Sequence, residues 1–305
     1  MRILLATDGS LSAAAASRLA AGLHWPSGSV IDVVGVCDAH DEGLCPDSEE
    51  VAAAVGEAVA VLTKAGLIAR RLVLTGRPAT LIVDVASDFR AELVIVGSRG
   101  LGPLASMLLG SVSAEVVDHA PCPVLVVRDP EIRSVLVAVD GSGPARAAVD
   151  YLSSTRILAG RRVEVLSVAH GRTTVPPELM TTLPVAIGGA DGLFREEREE
   201  RERPEVHAAL AADELRRSGH DTRWSISCGN AAHEIVTTAN SLDASLIVMG
   251  SRGLTGISRV VLGSVARNVL LHTPASVLIV HEPLREDSPE RRRAVRPARL
   301  PAAGR

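Results

Sequence analysis

The chain has 305 residues, of which 47% are hydrophobic, 2% aromatic and 22% charged, with a formal net charge of −4. That length holds two domains of ordinary size, and the scarcity of aromatics leaves cores of Val, Leu, Ile and Ala, which suit strands covered by helices on both faces. The mild negative charge and the few aromatic rings argue against a nucleic-acid or membrane surface as the main partner.

The elements follow in order. A strand over 2–6 ends at Thr7-Asp8-Gly9-Ser10, and Leu11, Ala15, Leu19 and Leu23 then recur at helical spacing, with Ser10 or Ser12 as the cap. A second strand spans 30–36, and 38–48 reads as a polar loop. A helix from 49 to 65 stops at Gly66, a C′ signal. A third strand covers 69–74, Pro78 opens a helix through Ser87, and a fourth strand spans 93–96. A helix over 111–119 leads through Pro121 and Pro123 to a fifth strand, 124–127. Alternating strands and helices predict a parallel sheet with right-handed crossovers and a ligand site beyond the strand ends at a reversal of strand order. Asp8 and Gly97 become neighbours if the first and fourth strands are adjacent there.

The program then restarts. Val135 to Ser142 repeats Ile3 to Ser10 at an offset of 132, whereas Gly250 follows Gly97 at an offset of 153, so 21 extra residues lie between these anchors. Matching Val168 to Val36 and Gly219 to Gly66 puts the insertion within 170–204. Its charge run, 196–203, reads as a solvated, partly helical arm, with a lid over the second site as the sharper alternative. The tail, 283–305, holds seven arginines and four prolines and nothing to bury, and is expected to be disordered. Domains are therefore expected at 1–130 and 131–282.

One motif occurs twice. Gly97-Ser98-Arg99-Gly100, nine residues and Gly110-Ser111 is matched by Gly250-Ser251-Arg252-Gly253, nine residues and Gly263-Ser264. Each copy follows an apolar strand and opens a helix. Glycines let the chain turn sharply and bring backbone N–H groups close to an anion, and a helix N-terminus favours negative charge, so the pattern reads as a phosphate cradle. Ser111 and Ser264 are expected as N-caps. No Lys follows, which separates the loop from the Walker type. Arg99 and Arg252 read equally as phosphate ligands or solvated loop charges, and His119 and His272 as caps at helix ends. No CxxC pair or zinc spacing occurs, and the four cysteines are expected to be ordinary thiols. The sequence has no leader and no apolar run long enough to span a bilayer, so a cytoplasmic protein is expected.

The strand-Asp-Gly-Ser start, the doubled glycine loop and the following His-Ala-Pro-Cys-Pro-Val (119–124) resemble the universal stress protein family in its tandem, actinobacterial form. The resemblance covers both halves to about residue 282. It implies two doubly wound, five-stranded parallel-sheet domains of the adenine nucleotide α-hydrolase-like sandwich type. The family's ATP-binding branch implies roles. Asp8 and Asp140, with Thr7 and Val139 before them, match the nucleoside side of the pocket. Val36 and Val168 match the position whose backbone reads adenine. Gly97, Arg99, Gly100, Gly110, Ser111, Val112 and Ser113 match the ribose and phosphate segment. The second copy supplies Gly250, Arg252, Gly253, Gly263, Ser264 and Val265. Ala266 replaces Ser113, so the first site is expected to be at least as tight by about 1 kcal/mol.

The expected ligand is ATP, accompanied by Mg²⁺ held through its phosphates rather than in a protein cage. No catalytic constellation recurs in both repeats, which leaves at most slow ATP hydrolysis by a nucleotide-responsive regulator of stress or dormancy. An adenylyl-transfer enzyme is an alternative, disfavoured because the lone lysine, Lys64, is far from both loops. An interaction module without nucleotide is another. The fifth strands are expected to pair the halves as an intramolecular pseudo-dimer, with further homodimerisation and a protein partner that the sequence does not name.

Overall fold

The computed structural model describes residues 1–38, 48–100, 109–169, 190–252 and 262–281, with the backbone alone described over 190–203. The first half runs β1 (Arg2–Ala6), α1 (Leu11–Ala21), β2 (Val30–Cys37), α2 (Ser48–Lys64), β3 (Ile68–Thr75), α3 (Pro78–Asp88), β4 (Leu93–Gly97), α4 (Ser111–His119) and β5 (Val124–Val127). The second runs β6 (Ser134–Val139), α5 (Gly143–Thr155), β7 (Arg162–Ala169), α6 (Ala190–Arg217), β8 (Asp221–Cys228), α7 (Ala231–Ser241), β9 (Leu246–Gly250), α8 (Ser264–His272) and β10 (Ser276–Val280). The inserted segment after β7 lies outside the described residues up to 189; from there the backbone is the start of α6. The predicted tail, 283–305, also lies outside the described residues.

The local chemistry explains the breaks. Ser10 caps α1 by accepting from the Ala13 N–H at 3.3 Å, and Ser142 caps α5 in the same way on Ala145. Gly66, at φ +82°, ends α2: its N–H donates to Thr63 O at 2.9 Å and the Leu67 N–H to Leu62 O at 3.1 Å. Gly219 closes α6 with the same pair of bonds, to Arg216 and from His220 to Leu215. His119 and His272 each bond a carbonyl one turn back in their own helix, Glu115 and Asn268, as caps.

All ten strands form one sheet in the order β3-β2-β1-β4-β5-β10-β9-β6-β7-β8. Each half is a parallel 3-2-1-4-5 array. The halves join where β5 and β10 pair antiparallel, Leu125 opposite Leu278. The fifth strands are thus the contact, as their exposed apolar edges required. Buried Val, Leu, Ile and Ala form one core on each face of the sheet, and both cores run through both halves.

Two reciprocal clasps cross the seam. Arg128, just past β5, donates to Leu270 O at 2.6 Å and to Ala275 O at 3.1 Å. His281, just past β10, bonds the equivalent Val117 and Cys122 carbonyls, both at 3.1 Å. Each base sits at the C-terminal end of the other half's last helix, where the helix dipole favours positive charge. Burial, and after it Arg99, nevertheless lowers Arg128 to about 10, and burial lowers His281.

Candidate functional site

β1 and β4 lie side by side in parallel, Leu5 opposite Ile95, while their chain continuations leave in opposite directions to β2 and β5. This is the reversal of strand order at which such sheets open a crevice. Both predicted segments therefore meet. Beyond β1, Gly9 at φ +79° turns the chain, and Asp8 Oδ1 accepts the Ser10 N–H at 3.0 Å. Beyond β4 comes the glycine loop.

The loop glycines are fixed by close approach. A Cβ on Gly97 would lie 2.6 Å from Ser12 Oγ and 2.8 Å from the Ala13 nitrogen and the Ser12 carbonyl carbon. A Cβ on Gly100 would lie 2.7 Å from Asp8 Oδ2, which puts the Asp8 carboxylate over the loop. The loop closes when the Gly110 N–H donates to Ser98 O at 2.7 Å. Gly110 itself is the N-cap of α4, at φ −77° and ψ 156°, and Gly263 is the N-cap of α8. This corrects the expectation that Ser111 and Ser264 cap these helices: they are the first helical residues, because the extended cap conformation falls on the glycine that bonds back to the strand end. A glycine cap has no side chain to accept from the first N–H groups, so among the described residues no cap bond competes with an anion at either helix.

Ten residues were expected at the first site, and one cavity of about 890 Å³ brings them together. Thr7, Asp8, Gly97, Arg99, Gly100, Gly110 and Ser111 line it. Val36 and Val112 line it as well, with the apolar Val34, Pro78, Ile82 and Leu109. Ser113 also lines it, but its hydroxyl donates to Gly97 O at 2.7 Å, so its hydrogen is spent on tying α4 to β4. A cavity lined by apolar side chains and by glycines at a helix N-terminus can take a flat, uncharged ring and an anion.

Sequence reasoning missed three contributors. Ser12, weighed only as a cap, instead clasps the loop: its Oγ accepts the Arg99 N–H at 3.2 Å and donates to Arg99 O. Ser10 Oγ donates to the same carbonyl at 3.2 Å. Asp118 and Arg267 line the cavity although they fall outside every motif. A serine two residues after the Asp-Gly-Ser start was a signal for the first, but nothing local marks the other two.

The second site repeats the frame with differences. β6 and β9 are adjacent, Val137 opposite Val248, so Val139, Asp140 and Gly250 meet at the strand ends. Asp140 Oδ1 accepts the Ser142 N–H at 3.0 Å, and the Gly263 N–H closes the loop on Ser251 O at 2.8 Å. Val168 is on β7, Val265 is in the first turn of α8, and Gly253 lies outside the described residues. Pro144 stands in place of Ser12, so among the described residues Ser142 Oγ to Arg252 O at 3.4 Å is matched in the first loop by three bonds that join Ser10 and Ser12 to Arg99. The Nε of Arg252 is buried without a hydrogen-bond partner. His207 packs its imidazole on Gly141, where Ala54 meets Gly9 in the first half.

Cys37 departs from the expectation of four ordinary thiols: it is disulfide-bonded, at the end of β2 beside Val36. Cys122 and Cys228 are free, and burial pushes the Cys122 thiol up to about 12.

The sequence model described as the universal stress protein family matches residues 1–128 and again 131–281. The chain belongs to the universal stress protein family. A universal stress protein of Mycobacterium tuberculosis is 32% identical over 212 residues, 67% of this chain and 65% of that protein. The chain thus spans a little under two thirds of the length of that relative. A second universal stress protein, from Mycolicibacterium smegmatis, is 26% identical over 84% of this chain and 82% of its own length. Among solved structures, a universal stress protein from Archaeoglobus fulgidus superposes with a TM-score of 0.64 at 21% identity, over 92% of this chain and 98% of that one. One from Pseudomonas aeruginosa gives 0.62, also at 21%, over 92% and 93%. These structures share the fold of two universal stress protein domains in tandem.

Proposed function

We propose that this universal stress protein binds ATP as a nucleotide-responsive regulator of stress or dormancy, with at most slow hydrolysis. The observation that carries the reading is the single cavity that gathers all ten expected first-repeat residues, with apolar side chains and the glycine loop both in its lining. The base lies in the slot beside Val36, the ribose near Asp8, and the phosphates at Gly110 and the first turn of α4. Mg²⁺ enters with the phosphates rather than in a protein cage, and Asp8 in the cavity lining is the carboxylate that helps hold it. The better-braced loop makes the first site the tighter one. The reading places the protein in the cytoplasm, where ATP is abundant, and includes a homodimer; among the described residues no helix is long and apolar enough to cross a membrane.

The test is to purify the chain without added nucleotide, denature it and identify by mass spectrometry what is released, then to melt it with ATP and Mg²⁺. At a hundredfold excess over Kd the ligand stabilises the fold by about 2.7 kcal/mol. Gly110→Val and Gly263→Val together fill both cradles and should abolish the shift. No released nucleotide together with no shift overturns the reading.

A further inference from the structure

The first-half cavity does not end at the seam. Leu262, Arg267 and Leu271 of the second half form part of its wall. Arg267, one turn into α8, donates from Nη2 to both oxygens of Asp118, at 2.9 and 3.0 Å. Asp118 Oδ1 also faces the Leu262 N–H at 3.4 Å. Only Nη2 of the guanidinium bonds Asp118, and the side chain, part of the cavity lining, stays 42% exposed, so Nε and Nη1 bring further donors to this wall. At the repeat offset of 153, the counterparts of Arg267 and Asp118 are Ala114 and Leu271. The first half therefore offers no such cation to the second site.

The charges explain what the arginine is for. The charged residues that line the cavity are Arg99 and Arg267 against Asp8 and Asp118, which cancel formally. The chain's one lysine, Lys64, is not among them, so a polyphosphate draws on few cations. Asp118 lies seven residues beyond Ser111, about 10 Å along α4 from the helix N-terminus. A phosphate chain that extends from that N-terminus along α4 would approach the guanidinium, and an arginine side chain can swing to meet it.

We propose that Arg267 of the second domain is a phosphate ligand of the first-domain site, held at the cavity wall by Asp118 until a polyphosphate claims it. The proposal rests on the nucleotide reading above. It makes the first site a composite of both domains, selective for the length of the phosphate chain.

The test measures ATP and AMP binding to the full chain by calorimetry, in a Gly263→Val background that closes the second cradle. Arg267→Ala should weaken ATP by about tenfold, the worth of a hydrogen bond to a charged group, and change AMP less than about twofold. Arg267→Gln keeps a donor for Asp118 without the charge and should lose ATP affinity to a similar degree, which separates phosphate binding from packing at the seam. Asp118→Asn removes the competing anion and should tighten ATP. Equal losses for ATP and AMP, no loss for either, or weaker ATP binding by Asp118→Asn would overturn the proposal. A parent chain that binds neither nucleotide sinks the nucleotide reading itself, a different result from a parent that binds ATP and an Arg267 variant that binds it equally well.

Discussion

Replacing Gly97 by alanine tests the packing on which the first site stands. The new Cβ would lie 2.6 Å from a serine hydroxyl, which can rotate away, but also 2.8 Å from two backbone atoms of the first turn of α1, which cannot. Either α1 withdraws from β4 or the strand end shifts. Overpacking of this kind costs about 1–3 kcal/mol, while the lost chain freedom of glycine returns only about 0.4–1 kcal/mol. The clash wins, and Gly97→Ala should destabilise the first half by about 1–2 kcal/mol. For a domain of this size that lowers Tm by roughly 2–4 °C per kcal/mol. Gly110→Ala is the control: its nearest atoms are 3.4–3.6 Å away, so stability should stay within about 0.5 kcal/mol. The chain's two tryptophans, Trp25 and Trp224, report one half each, so urea unfolding followed by fluorescence in a Trp224→Phe background isolates the first. A Gly97→Ala variant with the same midpoint as its Gly110→Ala control would refute the close approach of α1 to β4.

Acid should destabilise the protein through two histidines. Burial lowers both His281 and His220 below the ordinary value of 6.5. The unfolded chain then binds more protons, so stability is full above about pH 6.5 and falls as pH drops toward the folded-state values, by up to about 1.4 kcal/mol per pH unit for each group. His281→Gln should reduce that slope in urea titrations at pH 5 and 7.5, and an unchanged slope would acquit His281. Arg128→Met leaves the Leu270 and Ala275 carbonyls without their donor at the seam, at about 1–3 kcal/mol each; the Trp25 and Trp224 unfolding curves should separate, and coincident curves would count against the clasp. Thiol titration of the unfolded, unreduced chain should find two of the four cysteines, Cys122 and Cys228, and four after reduction.

The sequence by itself determined the repeat, the alternation of elements and the glycine loops, because each depends on local chemistry. Ser10 before an apolar helix, Gly66 after one and Pro78 opening another act within a single turn, and all three hold in the structure. Helix ends were legible to within a residue or two, and the cap of α4 passed from Ser111 to Gly110 because a tertiary bond, Gly110 to Ser98, sets the backbone there. Steric crowding at Gly97 likewise has a local signal, but its reason, the first turn of α1, lies more than eighty residues away. Only the tertiary structure decided that Ser12 clasps the loop rather than capping a helix, that Arg128 and His281 exchange carbonyls across the seam, and that Asp118 meets Arg267 in the wall of the first cavity. Those contacts depend on strand order and on the antiparallel docking of β5 on β10, which fixes where residues about 150 apart in the chain come to lie. The sequence already set the two copies apart at Ser113 and Ala266; the docked halves add a second difference, because the pair that crosses the seam beside the first loop is alanine and leucine beside the second.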